Sequence, residues 1–566
     1  MPKDITILIA GAAGQGIQTI GALLARVCHA AGLYIFSTDD FESRIRGGHS
    51  FHQLRIGTRA LSASAHIDIL VAVNEREYEF HKSRVRETGI VLINSNDQTP
   101  EHSCVVHLPF DAAAKKAGGV IASNTVAAGA VLAIIGAGFR EFESVLRDNF
   151  KGKSEEVLQL NFLAGKKGYD MGKAVEFPKH FDFDGKNHHH LVMSGAKAAA
   201  LGALAADCRF FSFYPMSPGT GIISSVVKYA EELPIVIEQA EDELAAINMV
   251  IGASFSGVRA LTATSGGGFC LMTEGLGLAA MTETPVVIIN AQRPGPATGL
   301  ATRTAQPDLL FTIHASQDEF PRFVFAPGTV LETFNSVKKA FYLSEKYQVP
   351  AIVLMDQFLA DSSRTESEAF EVGFEHESFL DLETQMSQKQ LYLRYKQTQT
   401  GVSPRRVPCI SEGLVRSTGN EHTQEGLSSE DPENRTNMVE KRLKKIVLMK
   451  DETRMPSVFC EGSKFYLTGW GSVKGSIMEA CLNLRGQGID AGWIIFEDIW
   501  PLDSQKLTKL LEHKKLIMVE GNATCQMGTL IRQITGLDYM ASILKYDGRP
   551  IYPEYIMEKV KQIMGK

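Results

Sequence analysis

The sequence predicts an α/β protein built of three doubly wound domains, on three observations. Short β-rich apolar runs alternate with segments whose apolar residues recur at helical spacing, in three separate blocks of the chain. Gly, Ser and Thr cluster directly after several strand candidates, where open α/β sheets turn and bind ligands. The 566 residues also exceed what one core accommodates, roughly 250–300 residues.

The first block spans residues 1–180. Its strand candidates are "ITILIAGAAG", "LYIFST" and "IDILVAV". The segment "GIQTIGALLARVCHAAG" carries a helical apolar stripe, which predicts a βαβ unit on a parallel sheet. "FPKHFDFDGKNHHHL" (177–191) is polar and aperiodic and reads as a linker. Its His188–His190 are consecutive, so they cannot converge on one ion from a helix or strand. The second block, 192–370, offers "PIVIEQ", "ALTATS", "PVVIINAQ", "FVFAP" and "PAIVLMD" as strands. Residues 371–457 lose apolar periodicity and read as an extended linker wrapping a domain or a partner. The last block, 458–566, returns to α/β with "FYLTGWGS", a helix through "IMEACLNLRGQG", "AGWIIFED" and "KLIMVEGN".

Composition is that of a globular protein, 44% apolar and 22% charged. Against 58 Lys and Arg stand 65 Asp and Glu, a net charge of −7, which argues against nucleic acid as a partner. The opening "MPKDITILIAGAAGQG" reads as a strand and turn rather than a signal peptide. "VAAGAVLAIIGAGF" (126–139) is too short to span a bilayer and reads as a buried helix. No membrane association and a cytoplasmic location are therefore expected. None of the eight cysteines pair as CxxC, so no metal site or iron–sulfur ligand run is expected on this chain.

Several motifs carry chemistry. Gly11, Gly14 and Gly16 lie between a strand and a helix, where backbone N–H groups either meet a phosphate or merely close a tight turn. The order is GxxGxG rather than the dinucleotide fingerprint. "SRIRGGHSFHQLRIG" (43–57), with Arg44 and Arg46, is either a phosphate- or partner-contacting loop or a solvated hairpin. In "FYPMSPGTGIISS" two prolines hold an extended turn around Ser217, and Thr220 is placed to cap a helix. "TATSGGGFCLMTEG" and "NAQRPGPATGLATRTAQPDLL" follow strands, and Arg293 and Arg303 in the latter suit capture of a carboxylate, or else decorate a surface loop. "PIVIEQAEDELAAINMVIGAS" packs Glu238, Glu241, Asp242 and Glu243 between an apolar run and an Ala-rich helix.

These motifs, followed by "STGNEHTQEGLSSEDPENRTNMVEKR", occur in register and resemble the α subunit of the 2-oxoacid:ferredoxin oxidoreductases. The first block, with "GAAGQGIQT", "RGGHS", "NTVAAGAVLA" and "FKGKSEEVLQLN", resembles the γ domain that some of these enzymes carry fused at the N-terminus. The last, from "LTGWGSVKGSIMEA" to "KYDGRPIYPEYI", resembles their transketolase-C-like domain.

The resemblance implies a γ-like domain at 1–180, a domain binding the pyrimidine of thiamine diphosphate at 192–370 and a transketolase-C-like domain at 458–566. It implies CoA-dependent oxidative decarboxylation of a 2-oxoacid, pyruvate or 2-oxoglutarate among the candidates, with electrons passed to ferredoxin. Thiamine enzymes use one buried Glu against N1′ of the aminopyrimidine, at the start of a helix and nine residues ahead of a Gly-Ala step. Glu243, with Gly252 and Ala253, fits that spacing, and the remaining acids read as a local cap. Tyr214, Pro215, Ser265, Gly266 and Gly267 are implied as cofactor-binding. Ser217 stands where the family has Thr in "YPITP", so it is implied to hydrogen-bond the substrate. Arg303 is implied to clamp the 2-oxoacid carboxylate, with Arg293 as the fallback. The Gly11–Gly16 loop and Arg46 are the loosest assignment, facing coenzyme A. The chain has no "GDG" motif for a Mg²⁺-diphosphate, so Mg²⁺ and the iron–sulfur clusters are implied on a β subunit, in an (αβ)2 assembly. The competing readings are a non-redox thiamine-dependent transferase or decarboxylase and a non-catalytic relative.

Overall fold

The computed structural model describes residues 4–12, 14–42, 48–58, 60–95, 104–181, 183, 191–366, 370, 377–381, 392–408 and 414–565. Arg44, Arg46 and His188–His190 lie outside the described residues. The chain divides into two compact units.

The first unit comprises residues 1–193 with 362–369 and 552–555. Its sheet has eight strands, in the order Val105–His107, Val85–Ile93, Ile67–Ala72, Asp4–Ala12, His49–Gly57, Tyr34–Phe41, Ser363–Glu366 and Leu191–Ser194. The strands from Val105–His107 to Asp4–Ala12 are parallel, as the βαβ pattern predicts. The sheet then departs from that expectation, because His49–Gly57 runs antiparallel between Asp4–Ala12 and Tyr34–Phe41. The second half of "SRIRGGHSFHQLRIG" is therefore a buried central strand, not a solvated hairpin. Within it, Arg55 donates to the Ser62 carbonyl at 2.9 Å and pairs with Asp4. Helix Ile17–Ala30 turns Ile17, Ile20, Leu23, Leu24 and Val27 into the core. The expected buried helix is Ser123–Ile134, with residues 125–132 all buried.

The second unit comprises residues 194–361, 370–551 and 556–566 and holds two sheets. The larger runs Asp498–Trp500, Phe323–Phe325, Pro350–Asp356, Val286–Gln292, Ala260–Thr264, Phe210–Phe213, Val236–Gln239. It is parallel except for Asp498–Trp500, which leaves the chain's last block to pair with Phe323–Phe325. The smaller runs Ser457–Phe459, Ala491–Phe496, Phe465–Trp470, Leu516–Glu520, Ala541–Leu544. The strand Val236–Gln239 is an edge strand with Val236 57% exposed, so the apolar run at 235–237 does not mark a buried strand.

The stretch read as an aperiodic linker contains a 21-residue helix, Pro432–Glu452, capped by Asp431, whose side chain accepts from Asn434 N. Its buried positions are Met438, Lys441, Arg442, Lys445 and Met449. They keep helical spacing, but cations fill three of the five, so no apolar stripe announces the helix. Lys441 and Lys445 donate to Glu283 at 2.6 and 2.5 Å, and Arg442 donates to Glu421. Among the described residues no helix is long and apolar enough to cross a membrane.

Candidate active site

Parallel strands deliver polar side chains to one edge of the larger sheet. Register sets Thr264 level with Asn290, and Gln292 level with Asp356, at the carboxyl ends of their strands. This is where open α/β sheets place ligands.

Glu243 is the first residue of helix Glu243–Phe255. Asp242 before it caps the helix, accepting from Ala245 N at 2.7 Å. The cap frees Glu243 to turn inward, where it is 2% exposed. Glu241 and Glu238 remain at the surface, so of the four acids only Asp242 caps. The Glu243 Oε1 is buried without a hydrogen-bond partner among the described residues. Burial pushes its carboxyl pKa upward, reinforced by Asp242 and opposed by a backbone hydrogen bond. Two further oxygens of the same layer, Thr264 Oγ1 and Asn290 Oδ1, are likewise buried and unpartnered.

Glycine shapes the floor of this site. A Cβ on Gly268 would lie 2.1 Å from Thr264 Oγ1 and 2.5 Å from Glu243 Oε1, so only glycine lets those two side chains meet there. A Cβ on Gly266 would lie 2.3 Å from Asp308 Oδ2. That carboxylate accepts from Asn290 Nδ2 at 3.2 Å, and burial outweighs this bond to push its pKa up to about 6. Sequence reasoning named Gly266 and Gly267 but missed Gly268, Thr264, Asn290 and Asp308. The signal available was position alone, polar residues at strand ends.

The loop after strand Phe210–Phe213 closes on this floor. Ser265, fully buried at the head of the short helix Gly266–Leu271, donates through Oγ to Met216 Sδ. Arg293 Nη1 donates to the Ser217 carbonyl at 2.8 Å, and burial lowers its pKa. Tyr214 and Pro215 are exposed and Ser217 half-buried. Thr220 begins helix Thr220–Val227 without a side-chain cap, the cap position being Gly219. Arg303 is 9% exposed, and a Cβ on Gly548 would come 3.1 Å from its own Cβ. The following Gln306 exchanges hydrogen bonds with Gly521 and donates to the Trp470 carbonyl, which anchors that loop against the smaller sheet. Hydrogen bonds thus tie Ser265 to Met216 and Arg293 to Ser217, while Glu243 lies against Gly268 beside Thr264.

In the first unit Gly14 and Gly16 take positive φ of 90° and 72°, and Gly16 heads helix Ile17–Ala30. A Cβ on Gly16 would meet Asn124 Nδ2 at 2.0 Å, and Gln15 Oε1 accepts from Ala12 N at 2.6 Å. The glycine order is therefore accounted for by the turn itself.

Comparison with known proteins agrees with this layout. The family model "Pyruvate flavodoxin/ferredoxin oxidoreductase, thiamine diP-bdg" matches residues 201–441, and "Pyruvate ferredoxin/flavodoxin oxidoreductase" matches 6–171. The 2-oxoacid:ferredoxin oxidoreductase subunit alpha of a Sulfolobus species is 32% identical over 98% of this chain and 96% of its own. The 2-oxoglutarate synthase subunit KorA of Methanocaldococcus jannaschii is 33% identical over 58% of this chain and 88% of its own. Among solved structures, the 2-oxoglutarate:ferredoxin oxidoreductase of Magnetococcus marinus, with 2-oxoglutarate, coenzyme A and succinyl-CoA bound, superimposes with a TM-score of 0.92 at 30% identity, covering 100% of both chains. With a thiamine-diphosphate-binding family match over residues 201–441 and full-length likeness to these subunits, the chain belongs to the 2-oxoacid:ferredoxin oxidoreductase family as an α subunit.

Proposed function

We propose that this chain, working with a β subunit, catalyses CoA-dependent oxidative decarboxylation of a 2-oxoacid to acyl-CoA and CO2, the electrons leaving to ferredoxin. The observation that carries the reading is Glu243: a buried carboxyl at a helix start, with an unpartnered oxygen over a floor that tolerates only glycine at 268. That donor set fits an aminopyrimidine ring, which offers a ring nitrogen to a carboxyl and a flat face to a glycine backbone. Glu243 would hold N1′, and Ser265, Gly266, Gly267, Tyr214 and Pro215 would line the rest of the cofactor site. When bound, thiamine diphosphate supplies the carbon nucleophile and the sink for the electrons left by CO2.

This chain's own part is proton placement and substrate orientation. Burial raises the Glu243 pKa, which suits a carboxyl that shares a proton with a ring nitrogen. Ser217 offers a hydroxyl to the keto or carboxylate oxygen of the substrate. Arg303 supplies the guanidinium for the 2-oxoacid carboxylate. Arg293, already committed to the Ser217 carbonyl, holds the Ser217 loop in place.

The remaining parts of the assembly follow from the family. Mg²⁺ and the iron–sulfur clusters belong to the β subunit, in a cytoplasmic (αβ)2 enzyme. Residues 1–180 form the γ-type domain, and its Gly11–Gly16 turn is the first place to seek a coenzyme A contact. 2-Oxoglutarate is the first substrate to try, being bound by the Magnetococcus enzyme. The test is anaerobic viologen reduction by this chain co-purified with its β partner, given coenzyme A and a panel of 2-oxoacids. CoA-dependent reduction establishes the reaction and names the acid. Acid consumption without reduction would replace it with a non-redox thiamine enzyme, and no consumption with a non-catalytic role.

A further inference from the structure

We propose that His49, Glu77 and His81 of the first unit form a binding site for a divalent transition-metal ion such as Zn²⁺. Glu77 and His81 stand four residues apart on helix Glu75–His81, which puts both on one face. His49 opens strand His49–Gly57 opposite them. One ligand atom from each of the three lies within 4.8 Å of the other two. All three are buried, at 5%, 1% and 0% exposure respectively.

The hydrogen bonding already prepares one imidazole. His49 Nδ1 donates to the Glu77 carboxylate, which leaves the lone pair on Nε2. The Nε2 atoms of both His49 and His81 are buried with no hydrogen-bond partner among the described residues. Phe51 and Phe80 flank the cluster, with ring centroids 5.6 and 4.1 Å from His49, and Phe51 lies 5.2 Å from His81. Three buried nitrogen and oxygen donors in an aromatic pocket match the two-imidazole, one-carboxylate sets that bind Zn²⁺, Co²⁺ and Fe²⁺. Tetrahedral zinc with bonds of about 2.0–2.1 Å needs ligand atoms about 3.3 Å apart, so side-chain rotations would draw the set together. One group opposes a cation: Arg84 Nη1 lies 3.4 Å from His81 Nδ1. It favours the wrong tautomer for binding through Nε2, and Arg84→Gln should therefore tighten the site.

The proposal is tested on the full-length chain, stripped with a chelator and titrated with Co²⁺, by visible absorption. The expected result is one Co²⁺ per chain with ligand-field bands lacking a thiolate charge-transfer band, displaced by Zn²⁺. His81→Asn and Glu77→Gln should each weaken binding by about 10-fold or more while circular dichroism is retained. If His81→Asn fails to fold, Glu77→Gln and the wild-type spectrum still decide. Absence of those bands in the wild type, bands carrying thiolate charge transfer, or bands unchanged in folded variants would each overturn the site. None of these readouts depends on 2-oxoacid turnover.

Discussion

The carboxylate of Glu243 and the backbone of Gly268 are packed so closely that a methyl group on residue 268 would stand 2.5 Å from Oε1. The same methyl would stand 2.1 Å from Thr264 Oγ1, on a fully buried strand end that cannot retreat. Gly268→Ala should therefore displace Glu243 rather than the strand. Misplacement of a reacting group by about 1 Å costs on the order of 100-fold in rate. The expected outcome is a loss of that size in CoA-dependent viologen reduction, with a cooperative thermal transition retained. Activity at the wild-type level would separate Glu243 from the chemistry.

Glu243→Gln keeps the size of the side chain and removes its proton exchange. General acid–base groups contribute about 10²–10⁴-fold, and turnover should fall within that range. Thiamine diphosphate binding, followed by calorimetry on the αβ complex, should weaken far less than turnover, because the amide still presents a hydrogen bond. Equal losses in both would assign Glu243 to cofactor binding alone.

How much of this was legible beforehand depended on which force left a pattern in the chain. The strands Ala260–Thr264, Val286–Gln292 and Pro350–Asp356 are buried on both faces, so they appear as apolar runs and were found. Helix Pro432–Glu452 was not, because Lys441, Arg442 and Lys445 occupy its buried face and their partners Glu283 and Glu421 lie far away in sequence. The antiparallel strand His49–Gly57 was hidden for a related reason: His49, His52, Gln53 and Arg55 are buried polar residues whose partners no spacing rule reveals. In the candidate site, Glu243 was proposed from the family's spacing between a helix start and a Gly-Ala step, whereas Asp308 and Asn290 meet only through the pairing of the fold.

Glu283 provides a test of that hidden face. Burial alone would raise its pKa, but Lys441 and Lys445, one on each oxygen, outweigh it and hold the carboxylate well below its ordinary range. Glu283→Ala leaves two buried ammonium groups without their counter-charge, a loss that costs about 3–5 kcal/mol. Urea unfolding should show that drop. The triple change Glu283→Leu, Lys441→Met, Lys445→Met should recover most of it, since an apolar replacement of a whole buried ionic set is often neutral. A triple variant no better than Glu283→Ala would mean the network does more than neutralise itself.

Arg303 should behave as a binding residue for the 2-oxoacid. Lysine keeps the charge but loses the planar fork that grips a carboxylate through two parallel hydrogen bonds. Charge-assisted hydrogen bonds contribute about 1.5–3 kcal/mol, so Arg303→Lys should lower kcat/KM by roughly 10- to 100-fold. The loss should appear mainly as a raised KM for the 2-oxoacid, leaving the KM for coenzyme A unchanged. Unaltered kinetics for the acid would move the assignment to Arg293.

Asp356 gives the stability of the second unit a pH dependence of definite sign. Burial raises its pKa from 3.8 to about 6, against hydrogen bonds from Ser472 Oγ and from the backbone of Leu359 and Phe358. The folded chain therefore holds a proton on this carboxyl between about pH 4 and 6 that the unfolded chain has released. Its stabilising contribution is complete below pH 3.8 and is lost as pH rises through about 6. A shift from 3.8 to about 6, at 1.36 kcal/mol per unit, sets an upper bound of about 3 kcal/mol on the loss. Asn at this position carries no proton to release, and its amide can donate to Ser472 Oγ while its oxygen still accepts from Leu359. The unfolding free energy of Asp356→Asn relative to wild type should therefore rise between pH 4 and 7 and level off above it. A difference that is flat across that range, in urea titrations at fixed ionic strength, would show that the Asp356 carboxyl is already ionised in the folded chain at pH 4.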